Sequence, residues 1–218
     1  MAFTLTVSLD VTGRSAIVVG GGTEALSRVD ALLAGAADVT VVTPNPEGRL
    51  VDLATTGRLT LRRRGYEPGD LVGAFVAYVT REDPTDVAAA WAEAEAHSVL
   101  LSTLDDVALC HFATPSVVRR GDLAITVATA GRAPALAKRL RRYLEDRLGP
   151  ELGDLVEVLA EAREQALPRT VPFPQWAARW ETALEDLDEL IGLVANGNGD
   201  EVRQHVLDVL RRDVEVVR

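Results

Sequence analysis

The chain has 218 residues, 47% of them hydrophobic, and a formal net charge of −10. It is long enough to bury a full core with an appendage, and too acidic for a general nucleic-acid binder, which needs a basic face for phosphates. A single cysteine, Cys110, excludes an internal disulfide framework and any zinc site of the paired-cysteine kind. No apolar run approaches the ~18 residues of a membrane span, and the opening MAFTLTVSLD lacks the basic region and long apolar stretch of a signal peptide, so the expectation is a cytoplasmic chain with no membrane partner.

Short β-branched runs alternate with helical stretches over the first half. SAIVV (15–19) is the first strand, TEALSRVDALLAGA (23–36) a helix and DVTVVT (38–43) a second buried strand. PEGRLVDLATTG (46–57) reads as a short helix, LTLRR (59–63) and AFVAYVT (74–80) as strands, PTDVAAAWAEAEA (84–96) as a helix and SVLLST (98–103) as a strand. Strands separated by helices imply a parallel sheet with helices on its faces. DLAITVAT (122–129) then adds one alternating strand, and PALAKRLRRYLEDRL (134–148) places Leu136, Leu140, Leu144 and Leu148 on one helical stripe behind Pro134. Three helices finish the chain: ELGDLVEVLAEAREQAL (151–167), QWAARWETALEDLDELIGLVA (175–195) and DEVRQHVLDVLRR (200–212), with LPRTVPFP (167–174) as a loop. Trp176 and Trp180, one turn apart, are expected in the helical core.

Gly20, Gly22 and Ala25 form GxGxxA between a strand and a helix. The first glycine permits the sharp turn, the second admits a pyrophosphate, the alanine lets helix and strand pack closely, and the helix N-terminus favours the anion. The candidate cofactor contacts are therefore Gly20, Gly21, Gly22, Thr23, Glu24 and Ala25, with Thr80 at the end of the strand expected over 74–80. The acid that usually binds the adenosine ribose is missing: the second strand ends in Thr43 and Asn45, either of which can hydrogen-bond the ribose instead. No arginine stands at that strand end to hold a 2′-phosphate, Arg49 lying a turn downstream, so NAD is expected rather than NADP.

Between His111 and Leu148 eight cations stand against three anions. Such a segment inside an acidic chain suits either an anionic ligand or a solvated helix face. Adjacent residues on a strand point to opposite faces, so His111 and Cys110 are not expected to share a metal ion.

The order of GRSAIVVGGGTEA, AGAADVTVVTP, VTRED, STLDD, FATPSVVRRGDLAITVATAG and APALAKRLRRYLE resembles the precorrin-2 dehydrogenase family, which includes the N-terminal part of siroheme synthase and related dehydrogenase/ferrochelatases. The resemblance covers about residues 9 to 160. It implies oxidation of precorrin-2 to sirohydrochlorin with NAD, in some members with insertion of a ferrous or cobalt ion as substrate. It also implies an α/β, Rossmann-like parallel-sheet domain (1–113), a small strand-helix dimerisation segment (114–148) that makes a homodimer, and a helical C-terminal part (149–218). The family's functional aspartate, which ends a strand ahead of a phenylalanine and PS, falls on Asp105, with Phe112, Pro115 and Ser116 following. Its asparagine three positions earlier is Ser102, and a loop like SSGGTSP is ATAGRAP here (128–134), with hydroxyls lost and Arg132 gained. Precorrin-2 carries eight carboxylates, so Ser102, Ser116, Arg119, Arg120, Arg132 and Lys138 are the substrate-binding candidates. A nucleotide-sensing module, or a tetrapyrrole-binding protein without catalysis, is the alternative reading.

Overall fold

The computed structural model describes residues 5–83, 85–103, 106–166 and 171–211. The chain divides into two compact units between Thr114 and Pro115.

The first unit is a five-stranded parallel sheet. Its elements are β1 (Ser15–Val19), α1 (Thr23–Ala34), β2 (Asp38–Val42), α2 (Gly48–Thr55), β3 (Thr60–Arg62), β4 (Val76–Val79), α3 (Val87–His97) and β5 (Leu100–Ser102), in strand order β3-β2-β1-β4-β5. Ile17 of β1 lies opposite Thr40 of β2 and Ala77 of β4. Alternate residues of the central strands feed two cores. Ala16 and Val18 pack with Ala25, Val29 and Leu32 of α1 and with Leu50 of α2. Ile17 and Val19 pack on the other face with Leu71 and with Ala90 and Ala94 of α3. Burial on both faces is why these strands read as continuous apolar runs rather than alternating ones. From β1 the chain winds outward through β2 and β3 and then, from β4, in the opposite direction, so the topological switch point falls at the carboxyl ends of β1 and β4, where ligands of doubly wound sheets bind.

The β3–β4 connection is held by one buried carboxylate. Asp70 accepts hydrogen bonds from Arg62 at 2.6 Å, from Arg64 at 2.7 Å through both terminal nitrogens, and from the Glu67 N–H at 2.9 Å. Burial alone raises an acid's pKa, but the bonds from Arg64, Glu67 and Arg62 outweigh it and bring Asp70 from 3.8 to about 2. A depressed folded-state pKa stabilises above the unfolded value, and that contribution disappears as the pH falls from about 4 to about 2. Arg62 and Arg64 are 43% and 36% exposed, and solvent screening trims the expected loss to about 1–2 kcal/mol. Urea midpoints measured across this window should fall in the parent, and the Asp70 component should be missing in Asp70→Asn.

The second unit opens with an antiparallel hairpin, β6 (Ser116–Arg120) and β7 (Leu123–Val127), joined by the two-residue turn Gly121–Asp122. Strand β6 was not anticipated: SVVRR ends in two arginines and reads as part of the basic segment. The Arg120 guanidinium donates to the Leu148 and Glu145 carbonyls, both at 2.7 Å, which ties β6 to the C-terminal end of α4 (Pro134–Glu145). The expected apolar stripe of α4 is largely uncovered, with Leu136 52%, Leu140 39% and Tyr143 49% exposed, and Ala137 is the buried residue of the helix.

Among the described residues four helices follow where periodicity suggested three: α5 (Glu151–Ala166), α6 (Phe173–Ala183), α7 (Leu187–Ala195) and α8 (Gly199–Arg211). The stretch expected as one helix over 175–195 is broken because Asp186 leaves helical geometry and its carboxylate accepts the Glu189 N–H at 3.3 Å, capping α7. Helix α6 begins inside the expected loop, with Pro174 in its first turn; 167–170 of that loop lie outside the described residues. Leu155, Ala162, Leu190, Val202, Val206 and Leu210 form this core, with Trp176 and Trp180 partly buried against it.

Candidate functional site

The turn after β1 brings three strand ends together. Gly20 has φ +134°, and a Cβ there would stand 1.9 Å from Thr80 Oγ1 at the end of β4. A Cβ on Gly21 would stand 2.4 Å from the Asn45 carbonyl oxygen beyond β2, and the Gly21 carbonyl accepts the Glu47 N–H at 2.8 Å. The tight-turn role expected of Gly20 thus has a concrete cause, and close backbone approach falls on Gly21 as well. Ala25 is fully buried, which lets α1 seat directly on the sheet.

The first turn of α1 binds an anion. That anion is the chain's own Glu82, from the loop after β4: its carboxylate accepts the N–H groups of Gly22 at 2.8 Å, Glu24 at 2.7 Å and Ala25 at 3.3 Å, and the Thr80 hydroxyl at 3.1 Å. Burial raises the pKa of Glu82, but the three backbone donors and Thr80 hold it below the usual carboxylate range. The carboxylate stands where the pyrophosphate of a dinucleotide is expected, and its bonds demonstrate that the donors converge on one negative group. The seat therefore fits a dinucleotide phosphate.

Thr43 is fully buried. Its hydroxyl donates to the buried carboxylate of Asp83 and accepts the Asn45 N–H at 3.1 Å. An acid does reach the end of β2, but from the loop after β4 rather than from β2 itself. Glu82 and Asp83 were not anticipated, because their roles lie in contacts with residues 60 and 40 positions away. Asn45, Thr23 and Glu24 have exposed side chains. Arg49 is turned to Asp30 of α1 at 2.9 Å.

Beyond β5, Asp105 lies outside the described residues, and its flanks are tightly fastened. Ser102 and Thr103 are buried at 2% and 4% exposure. The Thr103 hydroxyl donates to the Asp106 carbonyl at 3.2 Å, and Cys110 Sγ accepts the Thr103 N–H at 3.2 Å and donates to the same carbonyl. The Asp106 carboxylate caps a short 3-10 turn (Val107–Leu109) through the Ala108 N–H at 2.9 Å. His111 stacks on Trp91 with ring centroids 4.4 Å apart; its Nδ1 accepts the Leu101 N–H at 3.0 Å and its Nε2 faces Glu95 at 2.6 Å. Both ring nitrogens are thus committed within this unit, which makes His111 a packing residue.

In the second unit Arg119, Arg132 and Lys138 are exposed, Ser116 is half-buried opposite Val127, and Arg120 is committed to the carbonyls ending α4. Four substrate-binding candidates thus remain accessible on the hairpin, its following loop and α4.

A family model described as "Putative NAD(P)-binding" matches residues 7–116, a span holding the whole parallel sheet and its glycine turn. The chain belongs to this NAD(P)-binding family. Among relatives, siroheme synthase of Pseudoalteromonas atlantica is 30% identical over 95% of this chain and 44% of that protein, and siroheme synthase of Pseudomonas putida strain F1 is 34% identical over 79% of this chain and 37% of that protein. The chain thus spans less than half the length of these relatives. A solved structure of "SirC, precorrin-2 dehydrogenase" is 25% identical with a TM-score of 0.74, covering 94% of this NAD(P)-binding chain and 100% of that one. Among the described residues, no helix is long and apolar enough to cross a membrane.

Proposed function

We propose that this chain oxidises precorrin-2 to sirohydrochlorin with NAD. The observation that carries the reading is the likeness to a precorrin-2 dehydrogenase over that protein's whole length, joined to an anion seat at the switch point of the sheet. NAD, when bound, accepts the hydride, and a proton leaves with it. The N–H groups of Gly22, Glu24 and Ala25 at the N-terminus of α1 would hold the pyrophosphate, and Gly20 and Gly21 would leave the backbone free of side chains there. Asp105, which follows β5 in the sequence, takes the proton, a task suited to a carboxylate acting as general base. Arg119, Arg132, Lys138 and Ser116 engage the substrate's carboxylates by charge-assisted hydrogen bonds. Sirohydrochlorin absorbance, followed in purified protein given precorrin-2 with and without NAD, tests the reading; a sensing module would bind NAD and leave precorrin-2 unchanged. We assign the reaction to the cytoplasm, where a chain that draws on NAD meets its cofactor.

NAD is expected to bind more tightly than NADP, by about tenfold or more, because a 2′-phosphate at the end of β2 would meet the Asp83 carboxylate while Arg49 is held by Asp30. Titration calorimetry with the two nucleotides checks this, and a preference for NADP would contradict it.

A homodimer joined through residues 113–148 belongs to the same proposal. Leu136, Leu140 and Tyr143 line an uncovered apolar side of α4, and a partner's matching hairpin and helix would bury it isologously. Light scattering at micromolar concentration should report a dimer, and Leu140→Glu should shift it to monomer.

A further inference from the structure

We infer that Glu82 sets the affinity of the dinucleotide seat as an internal competitor: its carboxylate occupies the phosphate donors of α1 and must leave before the cofactor enters. The inference rests on reading the glycine turn as the pyrophosphate site. Three donors at the N-terminus of α1, the N–H groups of Gly22, Glu24 and Ala25, converge on this single carboxylate, and the Thr80 hydroxyl adds a fourth bond. A pyrophosphate needs the same donors and carries the same sign of charge, so the two cannot share them. The neighbouring residue strengthens the closure: Asp83 takes the hydroxyl of Thr43, so consecutive residues of the β4–α3 loop cover both the phosphate donors and the end of β2. A Cβ on Gly22 would lie 2.4 Å from Glu82 Oε1, so the fit of this carboxylate depends on the glycine that the nucleotide motif also requires.

The consequence is arithmetic. A seat open in about 1–10% of molecules weakens apparent cofactor binding about 10- to 100-fold relative to an open one. Removing the carboxylate removes that factor. Replacing it with an amide keeps the shape but gives up the charge, and charge-assisted bonds are about twice as strong as neutral ones, so Glu82→Gln should fall between parent and Glu82→Ala.

Calorimetric titration of NAD and of inorganic pyrophosphate into the full chain, its Glu82→Ala and its Glu82→Gln variants tests this. Both ligands are expected to bind Glu82→Ala at least about tenfold more tightly than the parent, with Glu82→Gln intermediate. Without ligand, Glu82→Ala should melt at a lower temperature because α1 loses its cap, and NAD should raise its melting temperature by more than it raises the parent's. Equal or weaker binding of both ligands by Glu82→Ala, with the parent binding NAD, overturns the inference and leaves the cofactor reading intact. Tighter pyrophosphate binding by Glu82→Ala with no NAD binding by any variant upholds the competitor and overturns the cofactor reading. Failure of all three proteins to bind either ligand overturns both.

Discussion

Asp105→Asn is expected to lower precorrin-2 turnover by about 10²- to 10⁴-fold, the usual worth of a general base, while NAD affinity stays unchanged. The phosphate donors of α1 belong to the turn after β1, and β4 stands between β1 and β5, the strand that precedes Asp105 in the sequence. Thr103, Asp106 and Cys110 are bonded to one another independently of the Asp105 carboxylate, so the substitution is expected to act on chemistry rather than on the fold. Asp106 is the control. Its carboxylate already caps the turn at Ala108, a task asparagine performs as well, so Asp106→Asn should retain activity. An inactive Asp106→Asn beside an active Asp105→Asn would move the role by one residue, and full activity in both would remove a carboxylate base from the reaction.

Gly20→Ala carries the second large effect. A side chain at φ +134° is strained, and its Cβ would stand 1.9 Å from Thr80 Oγ1 and 3.1 Å from Thr80 Cβ. Strain of this kind costs about 1–3 kcal/mol and overpacking about as much again, so a fall of about 2–5 kcal/mol in unfolding free energy is expected, with loss of measurable NAD binding. Adding Thr80→Ala removes the clashing hydroxyl but leaves the backbone strain, so the double variant should recover part of the stability. Denaturant unfolding of the three proteins separates the two contributions, and a Gly20→Ala as stable as the parent would show that the turn can rearrange.

The sheet was legible because its central strands are buried on both faces and appear as uninterrupted runs such as SAIVV and DVTVV. The second unit was less so. SVVRR hides a strand because one of its arginines, Arg120, is bonded to the Glu145 and Leu148 carbonyls 25 and 28 residues away, and no local pattern encodes that. The break at Asp186 depends on one side chain capping a helix within an apolar periodicity that continues across it. At the site, the glycines announced the turn, since their need is local. Glu82 and Asp83 did not announce themselves, because what gives them meaning is contact with Gly22, 60 residues away, and with Thr43, 40 residues away. For His111 it is stacking on Trp91, 20 residues away, with both ring nitrogens engaged by residues 10 and 16 positions away, that makes it a packing residue.

The most direct test of the account is a mass balance. Purified protein, precorrin-2 and NAD are incubated without oxygen, and sirohydrochlorin and NADH are quantified together. Transfer of one hydride and release of one proton per substrate predict equal amounts of the two products, formed at a rate proportional to enzyme and suppressed in Asp105→Asn. Sirohydrochlorin without matching NADH, or neither product from a protein that binds NAD, would contradict it.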